Sequence, residues 1–518
     1  MKNESRVQKS LMNAKVNLFY YFAFIILSFF SRKIFLDTLG PEFTGLQGTL
    51  QSILGYLNLA EFGISTAIAF NLYRPIKQGD KEKIRDLISL FGYLYRVIGI
   101  FVLITGIIVA CFLPLIFRDS VFSNSIIILC YLAFFLSSLY GYFLNYKQIL
   151  LTADQKAYIV TRYYQAAQFV AVLIQMTFAY YLRSYIGVIL VQMSYGIVYC
   201  LIIENRLIKE YPWLKVDLSR GKQLLSEYPS IIKTTKQVFV HKIKDLILNK
   251  SDQLFIFTFS DLKMVAYYGN YSLVLIKIQQ LITTSLDGLS ASVGNLVAEG
   301  NPEKTNKVFW ELISFRYYIA GVSVFCVCIL IQPFIFLWLG EEYLLSRNVI
   351  LLMVLNYYIM QTRGVVDMFN NAYGHYADVW SAWTEAIVNV CVTVVAGIKW
   401  GILGILIGKL VSMTPIVILW KPYYLYRDGF KISYWKYWKG ILVHYAVLGI
   451  SIIASYFLVK LLFLNPYLGV FQFMFYACFC FIIFVSFYTF LVVLFAPGAK
   501  DLLLRIPFFK RKHIKFWH

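Results

Sequence analysis

Seven cations interrupt segments otherwise apolar enough to lie in a bilayer: Arg32, Arg96, Lys250, Lys277, Arg316, Arg363 and Lys409. A charge at the bilayer centre costs roughly 2.5–3.5 kcal/mol on insertion scales. A chain that accepts this cost repeatedly is expected to keep a wet, positively charged interior, and such an interior suits an anionic ligand. An Arg guanidinium offers two parallel hydrogen bonds to a phosphate, a Lys ammonium a point charge. The carboxylates Glu61, Asp252, Asp287, Asp367 and Glu385 fall in segments of the same kind. They either take up a proton or Na⁺, coupling the protein to an ion gradient, or neutralise neighbouring cations.

Local context sorts these groups. Arg32 and Lys33 lie near the end of a span, where snorkelling to the interface competes with ligand contact. Lys242, Lys244 and Lys460 also sit near span ends. Arg363 has Asp367 four residues on, the spacing of a helical ion pair, whereas Lys250 and Asp252 are two apart and do not face each other on a helix. Arg96, Lys250 and Lys277 lie nearer the middle of their spans. Lys409 is surrounded by Gly401, Gly404 and Gly408, a pattern that also serves close helix packing.

The elements that carry these residues are membrane helices. Of 518 residues, 59% are hydrophobic and only 14% charged, against about 45–50% and 25% in soluble domains; the mean hydropathy is +0.66. Phe and Tyr, 44 and 40 of them, suit interfacial belts and lipid-facing surfaces. The net charge of +21 does not mark a nucleic-acid binder, because the cations follow the loops between spans rather than clustering on a soluble domain. Eight cysteines all fall in apolar stretches without C-x-x-C spacing, and no His-based metal motif occurs. Neither a cofactor nor a metal is expected. The basic N-terminal segment runs into an apolar one with no A-x-A-like cleavage site, which reads as an uncleaved first span.

Fourteen spans are predicted: 18–36, 44–70, 87–116, 125–146, 163–182, 185–203, 241–260, 265–297, 309–338, 348–370, 377–398, 400–420, 441–463 and 468–496. With this division, thirty-two Lys and Arg fall on one side of the membrane and five on the other. The positive side is the cytoplasm, so both termini are expected there. The fold class is an all-α polytopic membrane protein. Its expected organisation is an N-terminal six-helix bundle (1–203), a cytoplasmic linker (204–240), a C-terminal six-helix bundle (241–420), and a last pair of helices with a basic tail (421–518).

Two stretches echo each other. Gly79-Asp80-Lys81-Glu82-Lys83 and Gly300-Asn301-Pro302-Glu303-Lys304 share Gly, Glu and Lys at an offset of 221, and each follows a weakly apolar, Gly- and Ser-containing span. Six spans per half keep both halves in the same orientation, so the repeats are parallel, with the cargo site expected between them. Spans 44–70 and 265–297 are the least apolar and are expected to line that cleft.

The stretch Ser31-Arg32-Lys33-Ile34-Phe35-Leu36-Asp37-Thr38-Leu39-Gly40, with Phe43-Thr44-Gly45-Leu46 and then Leu57-Asn58-Leu59-Ala60-Glu61-Phe62-Gly63-Ile64-Ser65, resembles the Wzx-type O-antigen and capsule flippases of the MOP (multidrug/oligosaccharidyl-lipid/polysaccharide) exporter superfamily. The resemblance implies two six-helix bundles around a V-shaped cavity, alternating access without ATP, and a place in the bacterial cytoplasmic membrane. It implies an undecaprenyl-diphosphate-linked oligosaccharide as cargo, membrane lipids as surroundings, and a polysaccharide polymerase and a chain-length regulator as partners. Arg32, Arg96, Lys250, Lys277, Arg316 and Arg363 are then the expected diphosphate-binding cations, and Glu61, Asp252, Asp287 and Asp367 the candidates for ion coupling. Arg32 and Lys277 match the family's cationic spans by location and charge only.

Two other classes compete. A drug or cation antiporter of the same superfamily would favour carboxylates over cations. A glycosyltransferase or polymerase acting on the same lipid carrier would need a large external loop or a catalytic carboxylate motif, and the longest segment between spans, 204–240, is basic and has no D-x-D. An ATP-driven pump is excluded by the lack of a G-x-x-x-x-G-K-[ST] loop.

Overall fold

The computed structural model describes residues 6–58, 64–229, 251–286, 289–375, 379–461 and 464–505. Among the described residues every regular element is helical, and ten helices are long and apolar enough to cross a membrane. Lys250, Glu61 and Asp287 lie outside the described residues. Chain contacts divide the protein into two units, Met1–Ala266 and Tyr267–His518.

The first unit holds α1 (Arg6–Leu57), α2 (Ile64–Gln78), α3 (Lys81–Ile116), α4 (Asn124–Phe143), α5 (Ile149–Ala153), α6 (Ala157–Leu182), α7 (Tyr185–Glu210), α8 (Gly221–Glu227) and α9 (residues 251–259). The expected loop at 37–43 shrinks to a single break inside α1. Gly40 takes φ 84° and ψ 162°, a left-handed conformation that glycine tolerates, and Pro41 follows at a helix start where its missing N–H costs nothing. Helix α1 packs on α6, α3 on α4, and α4 and α6 on α7. Phe43, Leu46, Leu50, Ile68, Leu87 and Tyr131 are at the centre of the core and fully buried.

Helix α10 (Leu262–Leu286) crosses the division between the units. The second unit continues with α11 (Leu289–Ala298), α12 (Pro302–Trp338), α13 (Arg347–Thr362), α14 (Gly364–Ala372), α15 (Val379–Trp400) and α16 (Ile402–Met413). Wider helical turns then carry the chain through α17 (Lys421–Tyr424) to Phe430, and α18 (Trp435–Lys460), α19 (Val470–Phe495) and α20 (Ala499–Arg505) complete the unit. Between lipid tails there is no hydrophobic drive to pair helices, so close backbone approach must supply the attraction. The α15–α16 pair shows this: a Cβ on Gly404 would come 2.0 Å from the Ala396 carbonyl oxygen, and one on Gly408 would come 2.2 Å from Thr393 Oγ1. Opposite behaviour marks α19, which leaves Phe471, Phe475, Ile482, Phe490 and Phe495 exposed, a surface fit for hydrocarbon rather than water.

Helices α6 and α10 are long enough to span but do not reach the apolarity of the ten. Helix α6 covers the expected span 163–182 and α10 the greater part of 265–297, which α11 continues, and both α6 and α10 carry many polar side chains. The figure of fourteen spans thus goes beyond the ten helices that composition alone marks.

The internal repeat has a matching local structure. Gly79 and Gly300 take φ 71° and 70°. Each donates its N–H back to the carbonyl three residues earlier, Ile76 at 3.2 Å and Val297 at 3.1 Å. The next residue caps the following helix: Asp80 Oδ1 accepts from the Lys83 N–H and Asn301 Oδ1 from the Lys304 N–H, both at 3.0 Å. The capped helices, α3 and α12, are 36 and 37 residues long. A Cβ added to either glycine would meet nothing within 4 Å, so the residue type answers to the backbone conformation alone.

Candidate functional site

The repeat puts Arg96 and Arg316 at nearly the same place on their helices, sixteen residues after Asp80 and fifteen after Asn301. One residue of offset rotates a side chain by about 100° around a helix, and the two cations meet opposite fates. Arg96 is exposed, while its neighbour Tyr95, at the register of Arg316, is buried and bonds to Ser65. Arg316 is buried at 7% exposure; its Nε donates to the Gln361 carbonyl oxygen at 2.6 Å and its Nη2 to Gln361 Oε1 at 3.0 Å. It therefore ties α12 to the α13–α14 junction.

In the first unit Arg32 is half-buried, and its Nη2 donates to the Ala266 carbonyl oxygen at 3.0 Å. Lys33 pairs with Asp37 at 3.1 Å on the exposed side of the helix. Asp252 is buried on α9. Asn58, which the sequence marks only as a polar residue of its span, accepts hydrogen bonds from Ser138 Oγ at 2.7 Å and Tyr142 Oη at 3.1 Å.

In the second unit Lys277 and Lys409 are half-buried on α10 and α16. Arg363 donates from Nε to Asp367 Oδ2 at 2.7 Å, the i,i+4 pair expected from spacing, and its Nη1 lies 3.8 Å from Glu385 Oε1. Glu385 is 1% exposed. One guanidinium thus faces two carboxylates, and Glu385 belongs to a ridge on α15 in which Ser381, Glu385, Asn389 and Thr393 recur every fourth residue, all buried. Asn389 Nδ2 reaches Ser412 Oγ on α16 at 3.4 Å. A four-residue polar period in a membrane helix was the available sequence signal for this ridge. Among the described residues no group of three or more His, Cys, Asp or Glu could hold a metal ion.

Two cations of the first unit, read from sequence only as topological charges, line a pocket. Arg74 and Lys77, with Tyr73, Ile76, Asp154 and Gln155, surround about 470 Å³ at the end of α2. Asp154 anchors its floor, accepting from Tyr211 Oη at 2.9 Å and pairing with Lys156 at 2.8 Å. Lys156 also reaches Glu210 at 2.7 Å. Burial works to lower the Lys156 pKa, but the hydrogen bonds to Asp154 and Glu210 outweigh it and hold the ammonium above its ordinary range.

The helices, their hydropathy and the intramembrane charges define a multi-pass, all-α membrane protein. Comparison with solved structures narrows the fold. A lipid II flippase MurJ in an inward closed conformation superposes with a TM-score of 0.64 at 13% identity, over 93% of this chain and 98% of that one. An inward-facing MATE-family multidrug resistance transporter of the MOP superfamily gives 0.58 at 15% identity, over 77% and 94%. A MOP-superfamily transporter from Pyrococcus furiosus, whose reversed pocket polarity is described as suggesting a different function, gives 0.50 at 14% identity, over 82% and 95%. The fold is that of MOP-superfamily transporters. No protein-family model matches the chain, and no curated protein matches it by sequence.

Proposed function

We propose that this protein is a flippase that carries an undecaprenyl-diphosphate-linked oligosaccharide across the bacterial cytoplasmic membrane, as the Wzx-type polysaccharide flippases do. It works by alternating access with both termini in the cytoplasm. The observation that carries the reading is the pairing of a flippase-like fold along nearly the whole chain with cations placed inside its spans. A lipid diphosphate cannot cross hydrocarbon unaided, and fixed cations replace part of its hydration with charge-assisted hydrogen bonds. Of the cations nearer the middle of their predicted spans, Arg96 and Lys277 fall within the described residues and are assigned this work. Arg96 is exposed and Lys277 half-buried.

Ion coupling belongs to the same reading. Glu385 and Asp367 share one guanidinium, so a proton or small cation taken up there would balance the charge, and the polar ridge on α15 would lead it through the helix pair. The same carboxylates favour the alternative, a drug or cation antiporter. Native mass spectrometry of the protein in nanodiscs separates the two. Undecaprenyl-diphosphate-sugar should bind in preference to undecaprenyl phosphate and to a lipophilic cation, and Arg96→Ala with Lys277→Ala should abolish the preference. Preference for the lipophilic cation sinks the flippase reading, and diphosphate binding indifferent to both substitutions removes Arg96 and Lys277 from the site.

A further inference from the structure

The first unit contains a second pocket, a half-open cleft of about 310 Å³ between α4, α6, α7 and the 3-10 turn Asn145–Gln148. Its walls carry four tyrosines, Tyr140, Tyr164, Tyr195 and Tyr199, and two glutamines, Gln148 and Gln165, with smaller hydroxyl and amide side chains between them. Among the described residues no Lys, Arg, Asp or Glu lines it. Tyr199 Oη donates to Gln148 Oε1 at 2.6 Å, and the Tyr164 ring stands edge-on to that of Tyr199, with centroids 5.3 Å apart. Tyr140 lies against α7 where Gly196 leaves room, since a Cβ there would come 2.7 Å from the ring. Tyr195 bonds to Tyr164 and Gln192, and Ser137 Oγ donates to the Gln192 carbonyl oxygen at 3.1 Å; these contacts fix the tyrosines, and Thr161 and Gln165 on α6 complete the polar lining.

The lining selects its ligand by chemistry. A charged ligand would give up part of its hydration here and meet no opposite charge in the lining. A purely apolar ligand, an acyl chain or a detergent tail, would cover the Thr161 hydroxyl and the Gln165 amide without offering them a hydrogen bond, at about 1–3 kcal/mol for each group desolvated. A neutral ring with hydroxyls around its edge and C–H groups on its faces satisfies both demands: its faces rest on tyrosine rings and its hydroxyls bond to Gln and Thr side chains. Ligand pockets run from about 300 to 1,000 Å³, so a volume at the lower end suits one or two rings rather than a lipid-linked oligosaccharide.

We propose that this pocket is a binding site for a neutral sugar unit, built by the N-terminal unit alone. The inference goes beyond the lipid-diphosphate reading and does not depend on it, because soluble glycosides carry no diphosphate.

Gly141 supplies a clean perturbation. It lines the pocket, and a Cβ added to it would meet nothing within 4 Å. Gly141→Leu should therefore intrude on the cleft and narrow it, and Leu is a better helix former than Gly. The test is saturation-transfer difference NMR on the full-length protein in phosphatidylcholine nanodiscs. The probes are the methyl glycosides of glucose, galactose and N-acetylglucosamine, with glucose 6-phosphate as the charged control. At least one methyl glycoside should show saturation transfer, reduced fivefold or more in Gly141→Leu, and glucose 6-phosphate should show none. Thr161→Val with Gln165→Leu removes lining hydrogen bonds without filling the space and should cause a comparable loss; it decides the matter if Gly141→Leu does not fold. No signal from any of the three glycosides overturns the proposal. So does a signal that both variants leave unchanged, or equal binding of glucose 6-phosphate.

Discussion

Replacing Arg316 with Met separates a cation that builds the protein from one that holds cargo. The guanidinium satisfies two oxygens of Gln361, at 2.6 and 3.0 Å, in a buried setting. Each oxygen left unpaired costs about 1–3 kcal/mol. Removing a desolvated charge returns part of that, which leaves a net loss of about 2–3 kcal/mol. For a unit of this size each kcal/mol moves Tm by about 2–4 °C, so Arg316→Met should lower the thermal midpoint by about 4–12 °C. Differential scanning fluorimetry in detergent reads this directly. Adding Gln361→Leu removes the side-chain oxygen as well and should recover part of the loss, because an apolar pair is cheaper than a broken polar one. A midpoint within 1 °C of wild type, together with lost binding of undecaprenyl-diphosphate-sugar, would refute the reasoning: Arg316 would then be a cargo cation and its bonds to Gln361 incidental.

Other expectations are as direct. Gly79→Ala and Gly300→Ala should each cost about 1–2 kcal/mol, and by the same amount as each other, because neither site adds a steric clash; unequal losses in thermal denaturation would break the structural equivalence of the two turns. Arg363→Gln leaves Glu385 buried beside Asp367 and should destabilise by about 3–5 kcal/mol. The double variant Arg363→Gln/Glu385→Gln should recover much of this, and a failure to recover would show that Glu385 does not depend on that guanidinium. Lys156 keeps its raised pKa through Asp154 and Glu210, so its contribution is complete below the ordinary lysine range and declines only as pH rises through the folded pKa. The stability gap between wild type and Lys156→Met should therefore be flat from about pH 6 to 9, and a gap that closes within that window contradicts the assignment.

Period and charge made much of the architecture legible. The helical repeat and the Arg363–Asp367 pair rest on local spacing, and the turns at Gly79 and Gly300 reproduce one another down to the capping bond. What the chain order hid depends on partners far along the sequence. Arg316 looks like Arg96 in sequence, and only the face of α12 and the position of Gln361, 45 residues on, distinguish them. Glu385 on α15 meets Arg363, which stands 22 residues earlier at the α13–α14 junction. The tyrosine pocket draws short i, i+3, i+4 sets from three helices separated along the chain, so no single stretch announces it. Gly40 misled in the other direction, because a one-residue break carries the signature of a longer loop.

The central claim is translocation of a lipid diphosphate, and a reconstituted flip measures it. Proteoliposomes carrying the protein would receive a fluorescent undecaprenyl-diphosphate-linked oligosaccharide in one leaflet, and its appearance in the other would be followed with a membrane-impermeant glycosidase, with and without an imposed ion gradient. The account predicts transfer well above protein-free liposomes, faster with the gradient, and lost in Arg96→Ala/Lys277→Ala. Transfer no faster than in protein-free liposomes, from protein that moves a lipophilic cation in the same vesicles, would contradict it.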